Sequence, residues 1–241
     1  MQLHIFKDAD ELSSSAAAWI ADYIATTLKN QNRFTIALSG GSTPKKLHGI
    51  LAAPPYSEAI DWKKIHFFWG DERAVPFADD RNNAKMAFDT LLDKVPVDKK
   101  NIHIMRTDID PIDAAEEYEK ILHEYFEEDG PGFDLVLLGM GDDGHTLSLF
   151  PGYGVVHEEE LWTDAFYLEE QEMYRITITA PVVNKARNVV FLVAGGAKAK
   201  SLQQVIEGKY DPDTYPSQQI NPTGGELHWF LDEAAAQLLE K

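Results

Sequence analysis

Short apolar runs alternate along the chain with stretches of helical spacing. Runs rich in Val, Ile, Leu and Phe lie at Leu3 to Phe6, Phe34 to Leu38, Ile65 to Trp69, Phe133 to Leu138, Arg175 to Thr179 and Val189 to Val193. Between most of them, apolar residues recur with helical spacing over Asp8 to Lys29, Pro44 to Ala52, Asn83 to Leu92, Pro111 to Glu127, Ala197 to Glu207 and Asp232 to Leu239. A continuous apolar strand belongs in a sheet covered on both faces, and strands that alternate with helices run parallel. The pattern therefore predicts an α/β fold, a mostly parallel sheet with helices on both sides. No stretch reads as a linker and no long repeat occurs, so residues 1–241 are expected to form a single domain. The loosest segments, Ala53 to Ser57 and Tyr210 to Pro216, are short.

Charge narrows the choice of partners. Twenty-two Lys and Arg against forty Asp and Glu give a net charge of −18, which repels a polyanion unless the cations are gathered in one place. Nucleic acid is not expected as a partner. The chain has no Cys, which excludes disulfides, thiolate metal sites and Cys nucleophiles. The start, MQLHIFKDAD, lacks the basic end and apolar stretch of a signal peptide, and no apolar run is long enough to span a bilayer. A cytoplasmic protein that does not engage membranes is expected. The acidic stretches Glu116 to Asp129 and His157 to Glu172 read as solvated faces rather than metal sites.

In open α/β sheets ligands bind outside the carboxyl ends of the strands, and four of the apolar runs are followed there by Gly and a polar cluster. The first cluster is Ser39-Gly40-Gly41-Ser42-Thr43-Pro44. Thr43 suits the N-cap of a helix whose first residue is Pro44, and the glycines let backbone amides approach an anion. The second is Gly70-Asp71-Glu72-Arg73, where Arg73 can clamp a phosphate or substrate oxygen and Asp71 can orient it or accept from a sugar hydroxyl. Asn82 and Asn83, farther on, suit polar lining or a helix cap.

The third cluster, Gly139-Met140-Gly141-Asp142-Asp143-Gly144-His145-Thr146, matches GxGxxG. Asp142 and Asp143 in the turn and Pro151 soon after it argue against a dinucleotide. A His beside an Asp on a Gly-rich turn suits proton transfer, since the carboxylate can orient a ring that titrates near neutral pH. The spacing of Asp142, Asp143 and His145 fits no metal-ligand pattern, so no metal is expected. In the fourth cluster, Gly195-Gly196-Ala197-Lys198-Ala199-Lys200, Lys198 opposes the helix dipole unless an anion sits between them. One crevice with an anion cradle, two cations, one His and several carboxylates suits a phosphorylated polyol or sugar.

In this order the clusters resemble the 6-phosphogluconolactonase family, relatives of glucosamine-6-phosphate deaminase. The resemblance rests on LSGGSTP (Leu38 to Pro44), WGDERAVP (Trp69 to Pro76), GMGDDGHTLSLFPG (Gly139 to Gly152), RITITAPVVNKARNVVFLVAGGAKA (Arg175 to Ala199) and GELHWFLDEAAA near the end. It implies a Rossmann-like fold of the deaminase and ribose-5-phosphate isomerase type. It also implies hydrolysis of 6-phospho-D-glucono-1,5-lactone in the oxidative pentose phosphate pathway, without metal or cofactor. Carried over, His145 is the general base oriented by Asp143. Ser39 to Thr43, Arg73 and Lys198 hold phosphate and lactone, and Asp71 bonds a sugar hydroxyl or fixes Arg73. Leu147 departs from the family's usual Ala. The related deaminases carry a Glu where Phe150 stands, which disfavours an amino-sugar-phosphate reading. A non-catalytic sugar-phosphate-binding module is the other alternative, and it has no need of His145.

Overall fold

The computed structural model describes residues 1–128 and 130–240. Six strands form one parallel sheet: β1 (Gln2–Phe6), β2 (Phe34–Leu38), β3 (Ile65–Trp69), β5 (Leu135–Leu138), β8 (Asn188–Val193) and β9 (Glu226–Asp232). Their order is β1-β9-β8-β5-β2-β3. Three more strands, β4 (Asp71–Arg73), β6 (Thr163–Leu168) and β7 (Met173–Ile178), make a small antiparallel sheet in the order β4-β7-β6. The helices are α1 (Ala9–Thr27), α2 (Ser42–Leu51), α3 (Tyr56–Ala59), α4 (Asn83–Ala87), α5 (Pro111–Tyr125), α6 (Ala180–Val183) and α7 (Ala199–Glu207).

The central strands β2, β5 and β8 are buried throughout, and their apolar side chains alternate between two cores. Ile36, Leu38, Phe67, Trp69, Leu135, Leu137, Val190 and Leu192 pack under α1, α2 and α4. Ala37, Phe68, Val136, Leu138, Val189 and Phe191 pack on the other face against α5, α6, α7 and the small sheet. Both faces are covered, as the continuous apolar runs predicted.

The strand order reverses at β2. The chain goes outward from β2 to β3 and then returns to place β5 on the other side of β2. A crevice therefore opens between the carboxyl ends of β2 and β5, where such folds bind their ligands. Ser39 follows β2 directly, and Gly139 follows β5.

Several elements differ from the sequence expectation. The helix expected over Asp232 to Leu239 is absent: Asp232 ends a strand paired on both sides, and residues 233–239 form turns. The seven residues Glu233 to Leu239 are too few for a helix without tertiary support. The helix expected from Asn83 to Leu92 continues beyond α4 as one π-helical turn, Phe88–Leu92. His157 to Glu172 is not a solvated face throughout, because it contains β6 and buries Trp162, Thr163 and Leu168. Over Glu116 to Asp129 the helix α5 exposes Glu116, Glu117 and Glu124 but half-buries Glu119, which accepts from Thr163, and it buries Tyr118 and Leu122; Asp129 lies outside the described residues.

His48 of α2 is fully buried, with Nδ1 3.2 Å from the Thr90 hydroxyl. That hydroxyl donates to the Met86 carbonyl, so the ring donates from Nδ1, and its Nε2 has no partner. Burial pushes the imidazole down to about 4 from its usual 6.5. The unfolded chain thus binds a proton that the folded chain refuses, and stability falls as pH drops from 6.5 through about 4. The loss from this residue reaches about 3 kcal/mol. His48→Asn, which keeps a donor near Nδ1, should flatten that part of the stability curve in denaturant titrations. Curves that stay parallel to wild type would refute the assignment.

Candidate active site

A cavity of about 200 Å³ fills the crevice, lined by residues from all four strand-end clusters. The β2 turn supplies Ser39, Gly40 and Gly41. Gly41 sits at φ +100°, a conformation open to Gly, and starts α2 two residues earlier than expected. It, and not Thr43, occupies the N-cap, and no side chain caps the helix. Pro44 is then the third helical residue, still within the turn where a missing N–H costs nothing. Ser42 and Thr43 are not among the lining residues. Gly40 is required for packing as well, since a Cβ there would lie 2.0 Å from Asn83 Oδ1.

Asp143 and His145 come from the turn after β5. Asp143 Oδ1 lies 2.6 Å from His145 Nδ1 and also accepts from the His145 amide at 3.0 Å. Burial pushes the Asp143 carboxyl up, but the hydrogen bond and charge of His145 outweigh it and hold it below the usual carboxylate range. An ionised carboxylate only accepts, so Nδ1 carries a proton, and in the neutral ring the lone pair lies on Nε2. Gly141 makes room for the pair: a Cβ there would sit 2.1 Å from His145 Nδ1 and 2.5 Å from Asp143 Oδ1. The His145 ring stacks on Phe150, with centroids 4.2 Å apart and planes at 25°.

The small sheet brings in the residues that sequence reasoning treated least fully. Arg175 stands directly across the β4–β7 pair from Arg73, and both line the cavity. Like charges so placed repel unless anions intervene. Arg175 is 3% exposed, donates to Asp71 Oδ2 at 2.8 Å and to Ser148 Oγ at 2.9 Å, and Ser148 in turn donates to the same Asp71 oxygen. Asp71 is thus bound to Arg175 and does not fix Arg73. Arg73 donates from Nη1 to the Arg81 carbonyl, while its Nε is buried without a partner. Such a donor is costly unless a ligand oxygen meets it.

Glu72, between them, points away from the cavity lining and accepts the amides of Arg73, Asn83 and Ala84. Burial pushes its carboxyl up to about 7 against the pull of those amides. It ties β4 to the start of α4, where Asn82 caps the helix and Asn83 enters the cavity, donating to the Asp71 carbonyl. Arg175 was legible in principle: in Arg175-Ile176-Thr177-Ile178-Thr179 the polar residues alternate with Ile, the mark of a strand with one polar face.

Lys198 precedes α7 at the N-cap. The turn before it is held by Asp232, whose carboxylate accepts the Gly195 and Ala235 amides. Lys198 Nζ donates to the Met140 carbonyl at 2.6 Å and to Asp142 Oδ1 at 3.0 Å. The anion that its position called for is therefore a carboxylate of the chain itself, which offsets part of the positive patch expected from Arg73 and Lys198. Leu147 also lines the cavity, at φ +55°. Among the described residues no group of three or more His, Cys, Asp and Glu is disposed to hold a metal ion.

Fold and site together define a doubly wound α/β protein with a cavity lined by Arg73, Arg175 and Lys198 and a His–carboxylate pair at its switch point. The model of the glucosamine-6-phosphate isomerases/6-phosphogluconolactonase family matches residues 7–229, and the chain belongs to that family. It is 39% identical to a 6-phosphogluconolactonase of Synechocystis sp. over 242 residues, 99% of this chain and 98% of that one. It is 41% identical to one of Nostoc sp. over 240 residues, 97% of this chain and 96% of that one. A solved structure of 6-phosphogluconolactonase from Trypanosoma brucei superposes with a TM-score of 0.89 at 27% identity, covering 99% and 98% of the two chains.

Proposed function

We propose that this chain hydrolyses 6-phospho-D-glucono-1,5-lactone to 6-phospho-D-gluconate in the oxidative pentose phosphate pathway, with His145 as general base. The observation that carries the reading is the Asp143–His145 pair in a cavity that also holds the unpartnered Nε of Arg73. Nε2 of His145 takes a proton from water as its oxygen attacks the lactone carbonyl. The tetrahedral oxyanion collapses, the ring C–O bond breaks, and the imidazolium returns the proton to the departing ring oxygen. Asp143 holds the ring in the tautomer that makes this possible and offsets the imidazolium charge.

Arg73, Lys198 and the turn Ser39 to Gly41 hold the phosphate and place the lactone; Ser42 and Thr43 support that turn from outside the cavity. Asp71, with one oxygen fixed by Arg175 and Ser148, presents the other to a sugar hydroxyl. A lactone is an activated ester, so one positioned base and fixed positive charge suffice, and the chemistry calls for no metal or cofactor. No helix among the described residues is long and apolar enough to cross a membrane. We place the reaction in the cytoplasm, with no nucleic-acid partner.

The test is a comparison of three substrates. Freshly made 6-phosphogluconolactone should release acid above the spontaneous rate with a far higher kcat/KM than unphosphorylated gluconolactone, and glucosamine 6-phosphate should release no ammonia. Equal rates on the two lactones would remove the phosphate reading, and ammonia release would replace the reaction. Phe150, packed on His145 where the related deaminases carry a Glu, supports the first outcome.

A further inference from the structure

Three cations line the cavity, and each is balanced differently. Arg175 is neutralised inside the fold by Asp71. Arg73 contacts a carbonyl through Nη1, and its buried Nε has no partner. Lys198 is anchored to the Met140 carbonyl and paired with Asp142. The Asp142 side chain is 66% exposed, and Lys198 is its one ion-pair partner among the described residues. It has no part in the Asp143–His145 pair beside it. A carboxylate on the rim of a cavity meant for a dianion is unfavourable unless it can leave.

We propose that Asp142 is a tethered counter-ion for Lys198, displaced when the substrate phosphate arrives, and that it sets how tightly anions bind at the amine. The inference rests on the reading of this cavity as a phosphate site. An exposed ion pair is weak, so the carboxylate gives way at little cost. At equal distance a dianion attracts the ammonium about twice as strongly as a monoanion does. The tether lowers the apparent affinity of every anion by the same factor. The protein's negative surface is thereby continued up to the amine until the phosphate arrives.

The consequence is an unusual direction of change: removing a polar contact at the site should tighten substrate binding. For Asp142→Asn, KM for 6-phosphogluconolactone and Ki for inorganic phosphate should each fall about twofold to fivefold, the size of an exposed ion pair. Inhibition by chloride, weak in wild type, should strengthen by the same factor. In a Lys198→Ala background the same substitution should change neither constant. Unchanged or raised KM and Ki in Asp142→Asn, with Lys198→Ala raising KM, would overturn the tether and leave the phosphate reading standing. An Asp142→Asn effect of equal size in both backgrounds would reduce Asp142 to a general contribution of charge and also overturn the tether. If Lys198→Ala left KM and Ki unmoved, Lys198 would not be a phosphate ligand, and the reading beneath the proposal would fail first.

Discussion

His145→Ala should lower kcat for lactone hydrolysis by about 10²- to 10⁴-fold, the contribution of a positioned base, while changing KM little. On the proposed mechanism the base acts in the transition state, whereas the phosphate contacts assigned to Arg73 and Lys198 act on binding throughout. Asp143 belongs to the same unit, since its carboxylate fixes the Nδ1 proton of the ring. Asp143→Ala should therefore cost a large part of the same factor, and the double variant should be little worse than His145→Ala alone. Losses that multiply would show that Asp143 serves catalysis separately. His145 is partly exposed and held in a surface turn, so circular dichroism and thermal unfolding of His145→Ala should match wild type.

The second large effect is on stability. Arg175→Met removes the partner of Asp71, a carboxylate only 5% exposed that would keep only Ser148 and a long contact to Asn83. Breaking a buried pair from one side typically costs about 3–5 kcal/mol, because the remaining charge stays desolvated. For a chain of this size the melting temperature should fall by about 10 °C. Adding Asp71→Leu to Arg175→Met should restore most of the stability, since an apolar pair replaces an ionic one at little cost. Activity should stay low in the double variant, which lacks the Asp71 acceptor for substrate. If Arg175→Met melted like wild type, the ion pair would not hold β4 against β7.

Much of this was legible in the sequence for identifiable reasons. Central strands buried on both faces announce themselves as unbroken apolar runs, so β2, β3, β5 and β8 fell where the pattern put them. The Gly-rich clusters mark strand ends because close approach and positive φ demand Gly, as at Gly41 and Gly141. The edges were harder to see. β4 spans three residues, all of them ionisable, and Glu72 is bonded to backbone amides. β6 lies in an acidic segment whose composition suggested solvent. Arg175 escaped individual notice because an Arg at the head of an apolar run looks like a solvated strand end; only the fold brings it within 2.8 Å of Asp71. The partner of Lys198 was hidden for the same reason, since Asp142 is 56 residues away along the chain.

The most direct measurement of the central claim is the rate of acid release from freshly made 6-phosphogluconolactone with wild-type protein, after subtraction of the spontaneous rate. The account predicts a catalysed rate that saturates with the lactone and is inhibited competitively by 6-phosphogluconate. A rate no greater than the blank, from protein that still binds 6-phosphogluconate, would contradict it and make the cavity a sugar-phosphate binding site without chemistry.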